Sequence, residues 1–135
     1  MHRRLVPALS CAVTIVLGLA VDGLATGPVA DKVGDVLYAC LAVLGLWFLH
    51  PRAPLRWLAA GALVWCVGVE LLQLSDLPGA LASWAPWVRL VLGSGFDALD
   101  LPAYAAGCLL GASVVAAARR TRPVPAATPP PHVHG

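Results

Sequence analysis

Charge is what this sequence has least of. Only 12% of its 135 residues are charged, about half the share of an ordinary soluble domain. So few charges cannot cover a monomeric surface in water, which excludes a soluble globular protein. Histidine is missing from every long apolar run, and no two cysteines form a CxxC pair. Cys11, Cys40, Cys66 and Cys108 each sit in a different run. They read as small buried hydrophobes rather than as a disulfide or metal framework. His132 and His134 form an HxH in a Pro-rich tail, a pattern that is usually incidental. No metal, no other cofactor and no nucleic-acid partner is expected.

What is there is apolar. Hydrophobic residues make up 59% of the chain, and the mean hydropathy is +0.81. A transmembrane helix needs about 20 mostly apolar residues. Four segments meet or approach that length: Leu5–Val21, Val33–Leu49, Leu55–Leu74 and Leu99–Ala118. The expected fold is therefore all-α, an integral membrane bundle of four transmembrane helices whose solvent is the lipid bilayer. "MHRR" before the first segment and "GLA" at Gly18–Ala20 also suit a signal peptide, but the apolar stretch is long for one. It is taken as a span. "SWAPWVRLVLG", Ser83–Gly93, is too short to cross. Its tryptophans suit the headgroup level, so it is expected to form an interfacial or partly re-entrant helix before the last span. The four-helix domain is placed at residues 1–118, and a disordered tail at 119–135.

Charge patterning orients the bundle. Arg3, Arg4, Arg52, Arg56, Arg119, Arg120 and Arg122 fall on one side of a four-span arrangement, and only Lys32 and Arg89 on the other. By the positive-inside rule both termini are cytoplasmic. Asp22, Asp31, Asp35, Glu70, Asp76, Asp97 and Asp100 all fall on the outer side or in the outer part of a span.

Span two starts outside, which puts Asp35 in its first turn. Span four also starts outside, with Asp97 and Asp100 at its head and Pro102 just after. Carboxylates there can cap free N–H groups at the positive end of the helix dipole. Glu70 has no such role. It lies near the C-terminal end of span three, where the dipole disfavours an anion. At membrane depth a charged acid costs up to about 3 kcal/mol. Such a group is protonated, paired or facing a wet cavity. Gln73 shares its helix face at i+3, and Arg89, whose fork suits a carboxylate, is the expected partner. Asp97, Asp100, Tyr104, Gly107 and Gly111 form one helical stripe, polar above and small below. Asp35, Tyr38, Ala42 and Gly45 repeat it in span two. Gly45, Gly107 and Gly111 are the expected helix-packing positions.

"VELLQL" followed by "RLVLGSGFDALDLPAYAAGCLLG" resembles the VanZ-like families of small bacterial membrane proteins. These carry an ExxQ at the end of one span, then an Arg, then an acid-rich approach to the last span. More closely, "GDVLYA" at Gly34–Ala39, with the ExxQ, "GSGF", "DL" and "AY..G", is similar to a bacterial membrane family filed as domain of unknown function 2809. That resemblance covers residues 33–111 and implies a bacterial cytoplasmic membrane and a site, with no known activity. It marks Asp35, Glu70, Gln73, Arg89, Asp97, Asp100 and Tyr104 as a polar binding cluster. Tyr104 departs from the VanZ-like pattern, where Asn is more usual.

The leading functional expectation is a binding protein whose outward cluster engages an envelope lipid, a cell-wall precursor or a cationic compound. A structural or assembly protein, with or without homo-oligomers, comes second. An enzyme on a lipid-linked substrate comes third, since the chain offers no catalytic residue set beyond Glu70 as an acid or base. A small transporter comes last, because no acid lies at mid-membrane and no broken helix is evident.

Overall fold

Gly27 and Pro28 decide where the second helix begins. Gly27 takes φ 102, a left-handed conformation that suits glycine. Pro28 fills the first helical turn, where its missing N–H goes unused. The second helix therefore starts at Pro28 and not at the expected Val33. It carries Asp31 in its first turn and moves Asp35 well inside.

A computed structural model describes residues 2–75, 77–92 and 95–121. Among these it has six helices: α1 (His2–Leu24), α2 (Pro28–Leu49), α3 (Leu55–Gln73), α4 (Leu77–Trp84), α5 (Val88–Leu92) and α6 (Asp100–Arg120). The fold is all-α. Four helices are long and apolar enough to cross a membrane: α1 from Arg4, α2, α3 and α6. The chain is a multi-pass membrane protein.

The single interfacial helix expected at Ser83–Gly93 is instead two short helices. Pro86 has no N–H to continue a helix, so α4 stops at Trp84 and α5 begins at Val88. Trp84 is 92% exposed and Trp87 is 65% exposed, as befits rings at a headgroup level. Trp57, also exposed, marks the opposite end. The last helix runs through Arg119 and Arg120, past the expected end at Ala118. Asp76, Arg122, Gly93 and Ser94 of "GSGF", and the His132 and His134 pair lie outside the described residues.

Helix α2 is the centre of the bundle, with α1, α3 and α6 all packed on it. Its buried residues Ala39, Cys40, Val43, Leu44 and Trp47 recur at helical spacing and form one stripe. Gly107 and Gly111 bring α6 against that stripe. A Cβ built on Gly107 would lie 2.2 Å from the Val36 carbonyl oxygen, and one on Gly111 would lie 2.9 Å from Val43 Cβ. At Gly107 the nearest atom is backbone, an approach a side chain would block; at Gly111 it is a side-chain Cβ, with the Cys40 carbonyl oxygen at 3.0 Å. Lys32 meets Asp100, Val36 and Ala39 meet Gly107, Cys40 and Val43 meet Gly111, and Arg119 meets Pro51 and Ala53. The offset is nearly constant, so α2 and α6 run parallel.

The face of α2 that meets α6 is Val36, Ala39, Cys40 and Val43. It is rotated by about one residue from the expected stripe Asp35–Tyr38–Ala42–Gly45. Gly45 has nothing within 4 Å of a built Cβ; it is not a close-packing glycine. The four cysteines share the core layer, with Cys40, Cys66 and Cys108 in it and Cys11 packed against it. Val16, Val64 and Leu109 are 65%, 72% and 71% exposed, and such an apolar outer belt is stable only against lipid.

The two ends differ in charge. At one, Arg4 stacks 5.6 Å over the Phe48 ring, and Arg119 Nη2 donates to the Ala53 carbonyl at 2.9 Å and to Pro51 at 3.4 Å. The described acids gather at the other end, together with Lys32 and Arg89.

Candidate functional site

Glu70 is 1% exposed, so a free carboxylate there would be costly. Both of its oxygens are occupied. The Tyr104 hydroxyl donates to Oε1 at 2.9 Å, and the Asp97 backbone N–H donates to Oε2 at 3.3 Å. Two donors, one per oxygen, suit an acceptor-only group. The geometry follows from helix direction. Glu70 is near the end of α3, Tyr104 is one turn into α6, and the chain between them returns at the same membrane face.

Lys32 is the charge partner of the cluster. Its ammonium lies 2.7 Å from Asp97 and 3.8 Å from Asp35, and it also bonds Asp100. It ties the start of α2 to the start of α6. Asp97 additionally accepts the Leu99 N–H at 2.9 Å through Oδ1, which organises the turn into α6. The Lys32 ammonium beside it, and then the Leu99 N–H, hold the Asp97 carboxyl below the usual aspartate range. Asp100 is in the first turn of α6 as expected, but it makes no side-chain cap; it pairs with Lys32 instead.

Arg89, the expected partner of Glu70, is exposed on α5 and pairs with no described carboxylate. The reason is position: α5 hangs at the rim while Glu70 sits behind Tyr104. Gln73 anchors that rim. Its Nε2 donates to the Leu92 carbonyl, and its Oε1 is buried without a hydrogen-bond partner. A second tie holds the same segment. Trp65 Nε1 donates to the Tyr38 hydroxyl at 2.8 Å, which donates to the Val91 carbonyl at 2.9 Å.

The structure thus brings Asp35, Glu70, Gln73, Asp97, Asp100 and Tyr104 together and leaves Arg89 at the edge. Three further residues belong with them. Lys32 was legible as the cation at i,i+3 before Asp35, a helix-neighbour spacing. Tyr38 was legible only as a stripe member. Asp22 was missed because span one was expected to end at Val21. With α1 extending to Leu24, Asp22 lies in its last turn, at the negative end of the dipole.

Two adjoining cavities lie beside these groups. One, about 400 Å³, is a trough walled by Ile15 and Leu19 of α1, Leu37 and Leu41 of α2, and Val69 and Val91 opposite. The other, about 440 Å³, is its polar mouth, lined by Asp22, Asp31, Lys32, Asp35, Asp97 and Asp100. Gly18, Asp22, Gly34, Asp35, Gln73 and Tyr104 line both. The size suits a small amphiphile. Among the described residues no three His, Cys, Asp or Glu side chains are grouped so that they could hold a metal ion.

Residues 24–108 match a family described as a protein of unknown function, DUF2809. The match contains Glu70 and all its described partners, and it leaves out most of α1. No curated protein and no solved structure matches the chain.

Proposed function

The chain belongs to the DUF2809 family, and on that footing we propose that it is a binding protein of the bacterial cytoplasmic membrane. Its outward-facing cleft holds an amphiphilic component of the envelope. The observation that carries this reading is the pair of adjoining cavities, a polar mouth continuous with an apolar trough. A ligand with a polar head and an alkyl tail matches both halves. The gathering of arginines at the opposite end supports, through the positive-inside rule, cytoplasmic termini and an outward cleft. The ExxQ and the acid-rich start of the last span support a relation to VanZ-like proteins. In this chain, however, Glu70 is spent on Tyr104 and the Asp97 N–H, so binding is favoured over catalysis.

Gly34 provides the test. It lines both cavities, and a Cβ there meets nothing within 4 Å. Gly34→Leu extends a side chain into the cleft from an uncrowded Cβ position. Protein extracted in polymer-bounded membrane discs is stripped of lipid, and the extract is weighed by mass spectrometry against bulk membrane. An amphiphile enriched in the native chain and lost in Gly34→Leu, at equal helicity by circular dichroism, supports the proposal. Equal extracts sink it.

A structural reading has one observation in its favour. Lys32 already satisfies three carboxylates between α2 and α6. On that reading Gly34→Leu only stabilises the helix, and the extracts match.

A further inference from the structure

We infer that Cys66 and Cys108 are a thiol pair that hydroperoxides convert to a disulfide, clamping α3 to α6. Helix register puts them face to face. The Tyr104 hydroxyl meets Glu70 at 2.9 Å, which fixes how the antiparallel α3 and α6 are aligned. One turn back along α3 from Glu70 is Cys66, and one turn on along α6 from Tyr104 is Cys108. Both steps lead the same way, about 6 Å deeper into the membrane. The two residues belong to one core cluster, Cys66 at 0% and Cys108 at 5% exposure. Both are free thiols, and they are hydrogen-bonded to each other. Cys40, in the same layer, is bonded to the Thr14 hydroxyl.

A buried cysteine is inert when nothing supports its thiolate. Here a thiolate on either sulfur accepts the other's S–H, and the neighbour is placed to resolve an oxidised sulfur. Cys108 keeps what exposure the pair has, so it meets the oxidant. Its sulfur attacks the peroxide O–O bond and takes one oxygen as a sulfenic hydroxyl. The other oxygen leaves with the Cys108 proton, as an alcohol from an organic hydroperoxide or as water from hydrogen peroxide. The Cys66 sulfur then displaces the sulfenic hydroxyl, which leaves as water with the Cys66 proton. Two S–H bonds and one O–O bond break, one S–S bond forms, and two electrons pass from sulfur to the peroxide. The new bond lies one turn below Glu70 and Tyr104. It therefore fixes α3 to α6 under the cleft, which Val69 and Tyr104 line.

The test treats the full chain, in discs of saturated lipid, with cumene hydroperoxide or hydrogen peroxide. The chain is then unfolded in dodecyl sulfate with N-ethylmaleimide, and the labels are counted by intact mass. The untreated chain takes a label on each of its 4 cysteines. The oxidised chain is expected to lose two, with a Cys66–Cys108 link in its peptide map. Cumene hydroperoxide, which enters the bilayer, should act faster; equal rates overturn access from the lipid side. Cys40→Ser still loses two labels. Cys108→Ser loses none. In Cys66→Ser the sulfenic acid goes unresolved, and dimedone traps one adduct at Cys108. The oxidised chain should also need a higher fraction of denaturing detergent to unfold; no shift overturns the clamp. A native chain that keeps every label under both peroxides, or a link to Cys40 or Cys11, overturns the inference. Neither result touches the reading of the cleft.

Discussion

Gly107→Ala is the substitution the bundle tolerates least for its size. The added methyl would sit 2.2 Å from the Val36 carbonyl oxygen, 2.7 Å from Ala39 Cβ and 3.0 Å from the Val36 carbonyl carbon. Two of these are backbone atoms of α2, which cannot rotate aside. Relief requires α6 to move off α2 by about 1 Å, and α2 is the helix on which the others pack. Overpacking of this kind costs about 1–3 kcal/mol. Alanine recovers up to about 1 kcal/mol of helix propensity, so the expected net loss is about 1–2 kcal/mol. Two controls grade the argument. At Gly111 the closest approaches are 2.9 and 3.0 Å, so strain and propensity nearly cancel. At Gly45 nothing lies within 4 Å, so alanine stabilises by about 0.5–1 kcal/mol. The assay is reversible unfolding in mixed micelles at increasing denaturing-detergent fraction, followed by near-UV circular dichroism. The order expected is Gly45→Ala, then Gly111→Ala, then Gly107→Ala, from most to least stable. A Gly107→Ala chain as stable as Gly45→Ala would refute the α2–α6 contact itself.

Tyr104→Phe removes a donor from buried Glu70 and should destabilise by about 1–3 kcal/mol; the double change with Glu70→Leu should cost less than the sum of the two single changes. Asp97 has a depressed folded pKa, so its contribution is present above the ordinary aspartate range and is lost as pH falls through the folded value. The thermal midpoint should therefore drop on acidification, and Asp97→Asn should flatten that drop; an unchanged profile would dismiss the Lys32–Asp97 pair as a stabilising contact. Lys32→Met leaves Asp35, Asp97 and Asp100 without their cation, and added salt should partly restore its stability by screening the repulsion. A fluorescent protein fused to the C-terminus should fluoresce, whereas alkaline phosphatase placed there should be inactive; the reverse would invert the proposed orientation.

Much of the fold was readable because the bilayer narrows the options. Apolar runs of about 20 residues can satisfy their backbone only as helices. The helix limits were less readable. Gly27 and Pro28 start α2 early, α1 continues to Leu24, and each shift re-assigned an aspartate. Asp35 lost its capping position, and Asp22 gained a place in the site. The site itself was half readable. Spacing along α6 placed Asp100, Tyr104, Gly107 and Gly111 on one buried face, as they are. Spacing could not say that Glu70 would be met by Tyr104 and the Asp97 N–H and the aspartates by Lys32, because these residues belong to different elements and their separation is tertiary.

The sequence by itself determined the apolar solvent, the number of helices long and apolar enough to cross a membrane and the segregation of charge, because each is written along single segments. The tertiary structure alone decided three things. α2, through Val36, Ala39, Cys40 and Val43, is the helix that meets the two glycines of α6, Lys32 and not Arg89 serves the acids, and α1 stands off α3 far enough to leave a cleft. These depend on how separate helices are rotated and how closely they approach, and within lipid no hydrophobic period marks that rotation, since both faces of a span are apolar. Glu70, the acid that looked misplaced, is held at that meeting of helices by a tyrosine from one and a backbone N–H from the loop before it.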